Sequence, residues 1–179
     1  MQINIRLDSE ARDLLNAFPE RVSVAASRAV NRALYGINTD SSKIIRQRYN
    51  VKKRDISIGV RNFKATKSRP EGRIDIGGKP IALEKFNPSS KRYTKNKPKH
   101  GISVQIRRDK KTLFRSSFMS RAGLIFVRQG KERLPIKHLY GPRIYQMIDS
   151  ESKELIRAGA EERLLTNFKH QMRLGAMYR

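Results

Sequence analysis

One stretch constrains the fold more than any other. Val22, Ala25, Ala26, Ala29, Val30, Ala33, Leu34 and Ile37 recur at the i, i+3, i+4, i+7 spacing over four turns. That period places them on one stripe of an α-helix, while Arg21, Ser23, Arg28, Asn31 and Arg32 fall on the opposite face. Pro19 suits the first turn of this helix, because the nitrogen there needs no intrahelical partner. Half of the stripe is alanine, so a facing helix or sheet can approach closely. The simplest partner for it is the chain's own core; a seam between subunits is the other reading. A soft break is expected around Gly36 to Asp40, after which Ile44, Ile45 and Tyr49 continue the pattern.

Upstream, Ile3, Ile5 and Leu7 alternate as a short strand. Asp8 or Ser9 is a plausible cap for a helix over Glu10 to Phe18. From about 56 to 136 the pattern turns to strands. Ile74 and Ile76 alternate with charged residues, and Gly77-Gly78-Lys79-Pro80 reads as a hairpin turn into Ile81-Ala82-Leu83. Ile102, Val104 and Ile106 alternate with Gln105, Arg107 and Arg108 facing outward. Leu124-Ile125-Phe126-Val127 is continuously apolar, as for a strand covered on both faces. Residues 87–100 form a polar, basic, proline-containing stretch without apolar period, expected to be a long mobile loop.

Helix returns in the last third. Gly141-Pro142 opens a segment with Ile144, Met147, Ile148 and Leu155 at helical spacing, and a second stretch after Gly159 carries Leu164, Leu165, Phe168 and Met172. The elements predict one α+β domain over residues 1–179. Its long N-terminal amphipathic helix and C-terminal helices pack on an antiparallel or mixed β-sheet.

Charge restricts function. Forty Lys and Arg face sixteen Asp and Glu, a formal charge of +24 on 179 residues. Such a chain repels itself and is expected to be more stable against something anionic: nucleic acid, an anionic membrane surface or an acidic protein. Residues 85–121 hold twelve Lys/Arg against Asp109 alone, and residues 43–73 hold eleven against Asp55 and Glu71. Density of this kind neutralises phosphates without sequence preference, and Tyr93 could stack on a base. Candidate contacts to DNA or an acidic partner are Lys91, Arg92, Lys95, Lys97, Lys99, Arg107, Arg108, Lys110 and Lys111. For any single lysine, a solvated face explains the charge as well.

The chemistry-bearing patterns are sparse. There are no cysteines, hence no disulfide or thiolate metal site. His100, His138 and His170 each lack a carboxylate at ligand spacing, and residues 85–131 contain a single acid, Asp109, where a two-metal nuclease needs several. No phosphate-binding glycine loop is present. Neither a signal-peptide core nor an apolar run of membrane-spanning length appears, so a cytoplasmic origin is expected, with release by lysis.

Two stretches carry a family resemblance. One is Ala29-Val30-Asn31-Arg32-Ala33 followed by Tyr49-Asn50-Val51-Lys52; the other is Phe126-Val127-Arg128-Gln129-Gly130, then Arg133-Leu134-Pro135-Ile136 and Gly141-Pro142. Gly72-Arg73-Ile74-Asp75-Ile76 and Pro80-Ile81-Ala82-Leu83 lie between them. In this order, over roughly residues 22–148, the chain resembles the minor tail protein Z family of long-tailed bacteriophages. The resemblance implies a virion protein of the tail or neck, assembled in the host cytoplasm, that completes the head-proximal tail end and joins it to the head. It implies no catalytic residue, cofactor, metal or membrane. Implied partners are further copies in a ring (sixfold, if it follows the tail tube), the tail terminator, the tail tube and the head–tail connector. The tape-measure protein and the genomic DNA end are further candidates. Arg128 and Arg133 flank Gly130 and are candidate assembly-interface residues, or else braces of a turn. A free sequence-nonspecific nucleic-acid-binding protein is the main alternative, and a basic nuclease with dispersed carboxylates the second.

Overall fold

The computed structural model describes residues 2–5, 19–90, 92, 93, 95, 98 and 100–177, with side chains from 22 to 173 within those ranges. Leu7 and the expected helix over 10–18 lie outside the described residues. The elements are α+β, as expected: two long helices and short antiparallel strands. They group into two compact units. The first comprises Met1–Ser42, Val60–Gly77 and Ile148–Arg179; the second comprises Lys43–Gly59 and Gly78–Met147.

In the first unit, strands β1 (Gln2–Ile5), β2 (Val60–Phe63) and β3 (Gly72–Ile76) form an antiparallel sheet in the order β1-β3-β2. Ile3 pairs with Ile74, and Val60 with Ile76. Helix α1 (Pro19–Arg48) begins at the expected proline, and all eight residues of its apolar stripe are buried. The alanines therefore pack inside the chain. Gly72 lets the helix come close at the start of β3: a Cβ there would lie 2.7 Å from Val30 Cγ1 and 2.8 Å from Leu34 Cδ1. Ile74 and Ile76, further along β3, are also buried.

A polar residue of α1 pins the loop that follows β2. Asn31 Nδ2 donates to the Ala65 carbonyl at 3.0 Å, and its Oδ1 accepts the Ala65 N–H at 2.9 Å. One side-chain amide thus stands in for a neighbouring strand at a buried residue. This gives the Ala-Val-Asn-Arg-Ala stretch a physical division of labour. Ala29 and Ala33 permit close packing, Asn31 clamps the loop, and Arg32 is exposed.

Two helical breaks expected from the glycines do not occur. Helix α1 runs unbroken through Gly36 to Arg48. Its glycine is a notch: a Cβ there would lie 2.6 Å from Nη1 and 2.9 Å from Cδ of Arg163. Arg163 lies across the notch and grips Asp40 with both guanidinium nitrogens, Nη2 to Oδ1 at 3.2 Å and Nη1 to Oδ2 more closely. The hydrogen bond to Asp40 raises the Arg163 pKa, burial partly opposing it. Arg163 belongs to helix α3 (Ser150–Met177), which is likewise continuous through Gly159. Asp149 caps α3, accepting the Ser152 N–H at 2.9 Å. Among the described residues its buried positions are Ser152, Ile156, Ala160 and Leu164, spaced by four, whereas Leu155 and Leu165 face outward.

The second unit begins with the last turns of α1. It continues through the short helix α2 (Lys53–Ser57), a 3-10 turn at Leu83–Lys85, the hairpin β4 (Ile102–Val104) and β5 (Thr112–Phe114), and the meander β6 (Ser117–Met119), β7 (Ile125–Arg128) and β8 (Ile136–His138). A second 3-10 turn, Ile144–Met147, ends it. Phe86, Leu83, Ile102, Val104, Ile125 and Ile144 are its core.

Three expectations are corrected here. Residues 81–83 do not form a hairpin with β3, both of whose edges are taken by β1 and β2. They pair instead with the segment before Pro142: Gly141 N–H to Ile81 O at 2.7 Å and Leu83 N–H to Leu139 O at 3.2 Å. Gly78, at φ 92°, and the donor-less Pro80 carry the chain away from the first sheet. Strand β4 stops at Val104, because the Ile106 carbonyl accepts the Asn50 N–H at 2.9 Å. Along β7 only Ile125 is fully buried; Leu124, Phe126 and Val127 are half-exposed, so the strand is not covered on both faces.

Ser117 locks the two sheets of this unit together. Its fully buried hydroxyl accepts the Ile102 N–H at 2.8 Å and donates to the Phe114 carbonyl at 2.5 Å. Gly101, at φ 95°, admits no side chain at this corner, since a Cβ would meet the Phe114 oxygen.

Losing either polar clamp strands buried backbone groups, which costs about 1–3 kcal/mol. Asn31→Ala and Ser117→Ala should each lower unfolding free energy by about that amount in urea titrations. Arg32→Ala, on the exposed side of the same turn of α1, should change it by less than about 0.5 kcal/mol.

Candidate interaction surface

The second unit closes around the C-terminal end of α1, and cations do much of the closing. A helix end leaves carbonyls without intrahelical partners, and it favours positive charge. Arg108 supplies both remedies: its N–H donates to Arg48 O at 2.9 Å, and its Nε donates to Arg46 O at 2.8 Å. Asn50 completes the clasp, donating through Nδ2 to the Gln105 carbonyl at 3.1 Å, while Tyr49 bridges to Arg107. The Tyr49-Asn50-Val51-Lys52 stretch is thus the docking strip for residues 105–108.

Beside this clasp lies a concavity of about 540 Å³, within the range typical of ligand pockets. Its apolar floor includes Val51, Pro88 and Met119, all buried. Two carboxylates reach it. Asp55, almost wholly buried, holds Lys85 Nζ at 2.6 Å. Glu84 is hydrogen-bonded at 3.2 Å to His138 Nε2, whose Nδ1 meets the Tyr140 hydroxyl at 2.8 Å. Each acid is therefore engaged from within the chain. Arg46, Lys52, Arg54 and Arg108 also line the cavity, are exposed, and have no carboxylate partner among the described residues.

The residues singled out from sequence fall into separate places. Arg107 and Arg108 precede Lys110 and Lys111 in the β4–β5 turn, all four exposed. Arg107 pairs with Asp109 at 3.5 Å and lies 6.0 Å from the Tyr49 ring centre, so part of its charge is used locally. Arg128 and Arg133 sit on the β7–β8 hairpin, both exposed; Arg128 lies 5.7 Å from the Phe118 ring centre. In the 87–100 stretch, Arg92 and Lys95 are exposed, whereas Lys91, Lys97 and Lys99 lie outside the described residues. Pro88 bridges to Val104, and Ser89 N–H donates to the Ser103 carbonyl at 2.8 Å, so the start of that stretch is anchored to β4. Tyr93 is half-exposed beneath the Arg121 guanidinium, 5.8 Å from its ring centre.

Sequence reasoning counted Arg46, Lys52, Arg54 and Lys85 within dense basic stretches without singling them out. One signal was present: Asp55 interrupts the run Lys52-Lys53-Arg54, and an acid amid cations in an apolar-flanked turn invites an internal ion pair. Among the described residues no group of three or more His, Asp or Glu side chains could hold a metal ion, and no helix is long and apolar enough to cross a membrane.

No curated protein and no solved structure matches the chain. The family described as Prophage minor tail protein Z (GPZ) matches residues 7–177, nearly the whole length. That span includes both clamps, Asn31 and Ser117, and every residue of the basic cavity. The chain belongs to the prophage minor tail protein Z family and is a structural protein of the phage tail.

Proposed function

We propose that the chain completes the head-proximal end of the tail and joins it to the head connector. It acts as one module over residues 1–179, repeated in a ring around the tail axis, with the tail terminator and tail tube on one side. The role is one of assembly, with no bond made or broken and no cofactor required. The family assignment supports the tail, and the unmatched cations carry the rest of the reading. A chain of formal charge +24 in which Arg46, Lys52, Arg54 and Arg108 have no carboxylate partner among the described residues around one cavity is built to meet acidic neighbours. Ring symmetry repeats each such contact, so modest individual attractions add to a stable joint. Arg128 and Arg133, exposed on one hairpin, are suited to the contact between adjacent copies, while Lys110 and Lys111 suit a neighbour or the DNA end.

Host cells carrying the phage without this chain should accumulate filled heads and separate tails, and adding the purified protein to such an extract should restore joined particles. Particles that join normally in its absence, or a reconstruction that finds the chain away from the tail's upper end, would overturn the reading. Matching by neighbours also has a solution signature. Raising salt from about 0.05 to 0.5 M should raise the thermal midpoint of the isolated protein by screening its self-repulsion.

A further inference from the structure

The cavity beside the end of α1 has a character that separates one class of occupant from another. Its mouth carries four cations that have no carboxylate partner among the described residues, and its floor is apolar. Among the described residues no aromatic ring lines it. Nucleic acid is poorly served by that combination. Single strands are held by bases stacked on aromatic faces, and a duplex is a convex rod whose phosphates could reach only the rim. An extended polypeptide fits better, since acidic side chains can meet the rim while an apolar one fills the floor. Asn50 and Asn87 also line the cavity.

We infer that this cavity, between Arg46, Lys52, Arg54 and Arg108 over the floor of Val51 and Met119, docks an acidic peptide segment of another virion protein. The pairing of buried Asp55 with the exposed Lys85 gives the site its selectivity. Lys85 is held by an internal carboxylate at 2.6 Å, so it neither collapses into the mouth nor competes for the incoming acid. The surrounding arginines stay available because the carboxylates that line the cavity among the described residues, Asp55 and Glu84, are already engaged. Arg108 contributes while its Nε remains on the Arg46 carbonyl, which fixes the direction of its guanidinium. Preorganised cations of this kind lose little freedom on binding. The inference names a partner class for the basic surface discussed above, and it rests on the tail reading for where such a partner is met.

The test uses the whole purified chain and a fluorescein-labelled peptide of alternating Glu and Leu. The same peptide with Gln for Glu and a short DNA duplex serve as comparisons. Lys52→Glu with Arg54→Glu should weaken the acidic peptide by at least roughly tenfold in fluorescence anisotropy near physiological salt. Lys110→Glu with Lys111→Glu, an equal change of charge outside the cavity, should weaken it by less than about twofold, a general field effect. Amide shift mapping on the unaltered protein gives a second readout: the peptide should perturb Asn50, Val51, Lys52 and Met119. Equal losses for the two double variants, or shifts spread over the β4–β5 turn, would show charge attraction without a site and overturn the inference. A loss confined to the duplex would also overturn it, in favour of phosphate. Failure of peptide binding leaves the joining experiment unaffected, so the two readings fall separately.

Discussion

The first unit depends on how near a helix can come to a strand. Four of the eight buried side chains along the stripe from Val22 to Ile37 are alanine, and Gly72 leaves room at the strand's entrance for Val30 and Leu34. Close fit of this kind stabilises because dispersion contacts fall off steeply with separation. It also explains why so basic a chain holds together. Burial of small, tightly fitted groups needs little apolar mass, which leaves the surface free to carry charge.

The second unit solves a different problem. It must terminate a thirty-residue helix, bury a modest core, and display cations without neutralising them. Arg108 shows how one residue answers the first and third demands together. Its main chain and Nε satisfy the helix-end carbonyls, and the rest of the guanidinium faces the cavity. Asp55 and Glu84 are spent inside the same unit, on Lys85 and His138. The net result is a concave surface on which, among the described residues, Arg46, Lys52, Arg54 and Arg108 meet no carboxylate. In a family of tail proteins, that is the arrangement expected where subunits are recognised by their charge.

What was legible in the sequence followed the range over which each signal acts. The apolar stripe of α1 was readable residue by residue, since a period of 3.6 over four turns admits one face only. Helix α3 was readable as helix but not by face. Its leucines are scattered around the axis, and packing alone selected Ile156, Ala160 and Leu164 over Leu155 and Leu165. The turn chemistry of Gly77-Gly78-Lys79-Pro80 was real, yet it did not make a hairpin: the pairing of residues 81–83 is decided by residues 139–142, far along the chain. The site divided the same way. Cation density marked the right segments, while the cavity joins residues 46–55 to 84–88, 108 and 119–123, a grouping no local pattern contains. Asn31 and Ser117 were invisible as clamps because a single polar residue announces nothing about which distant backbone it will meet.

The notch at Gly36 carries an evolutionary consequence. Because the Arg163 side chain fills the space a Cβ would occupy, a side chain at position 36 makes the flexible arm at position 163 shift. A relative with alanine at the first should hold its arginine displaced, or carry a shorter residue there and pair the acid that corresponds to Asp40 with another cation. Two sites a turn apart on α1 and one far along the chain on α3 are thereby linked, and their joint drift would record this contact in the family's history.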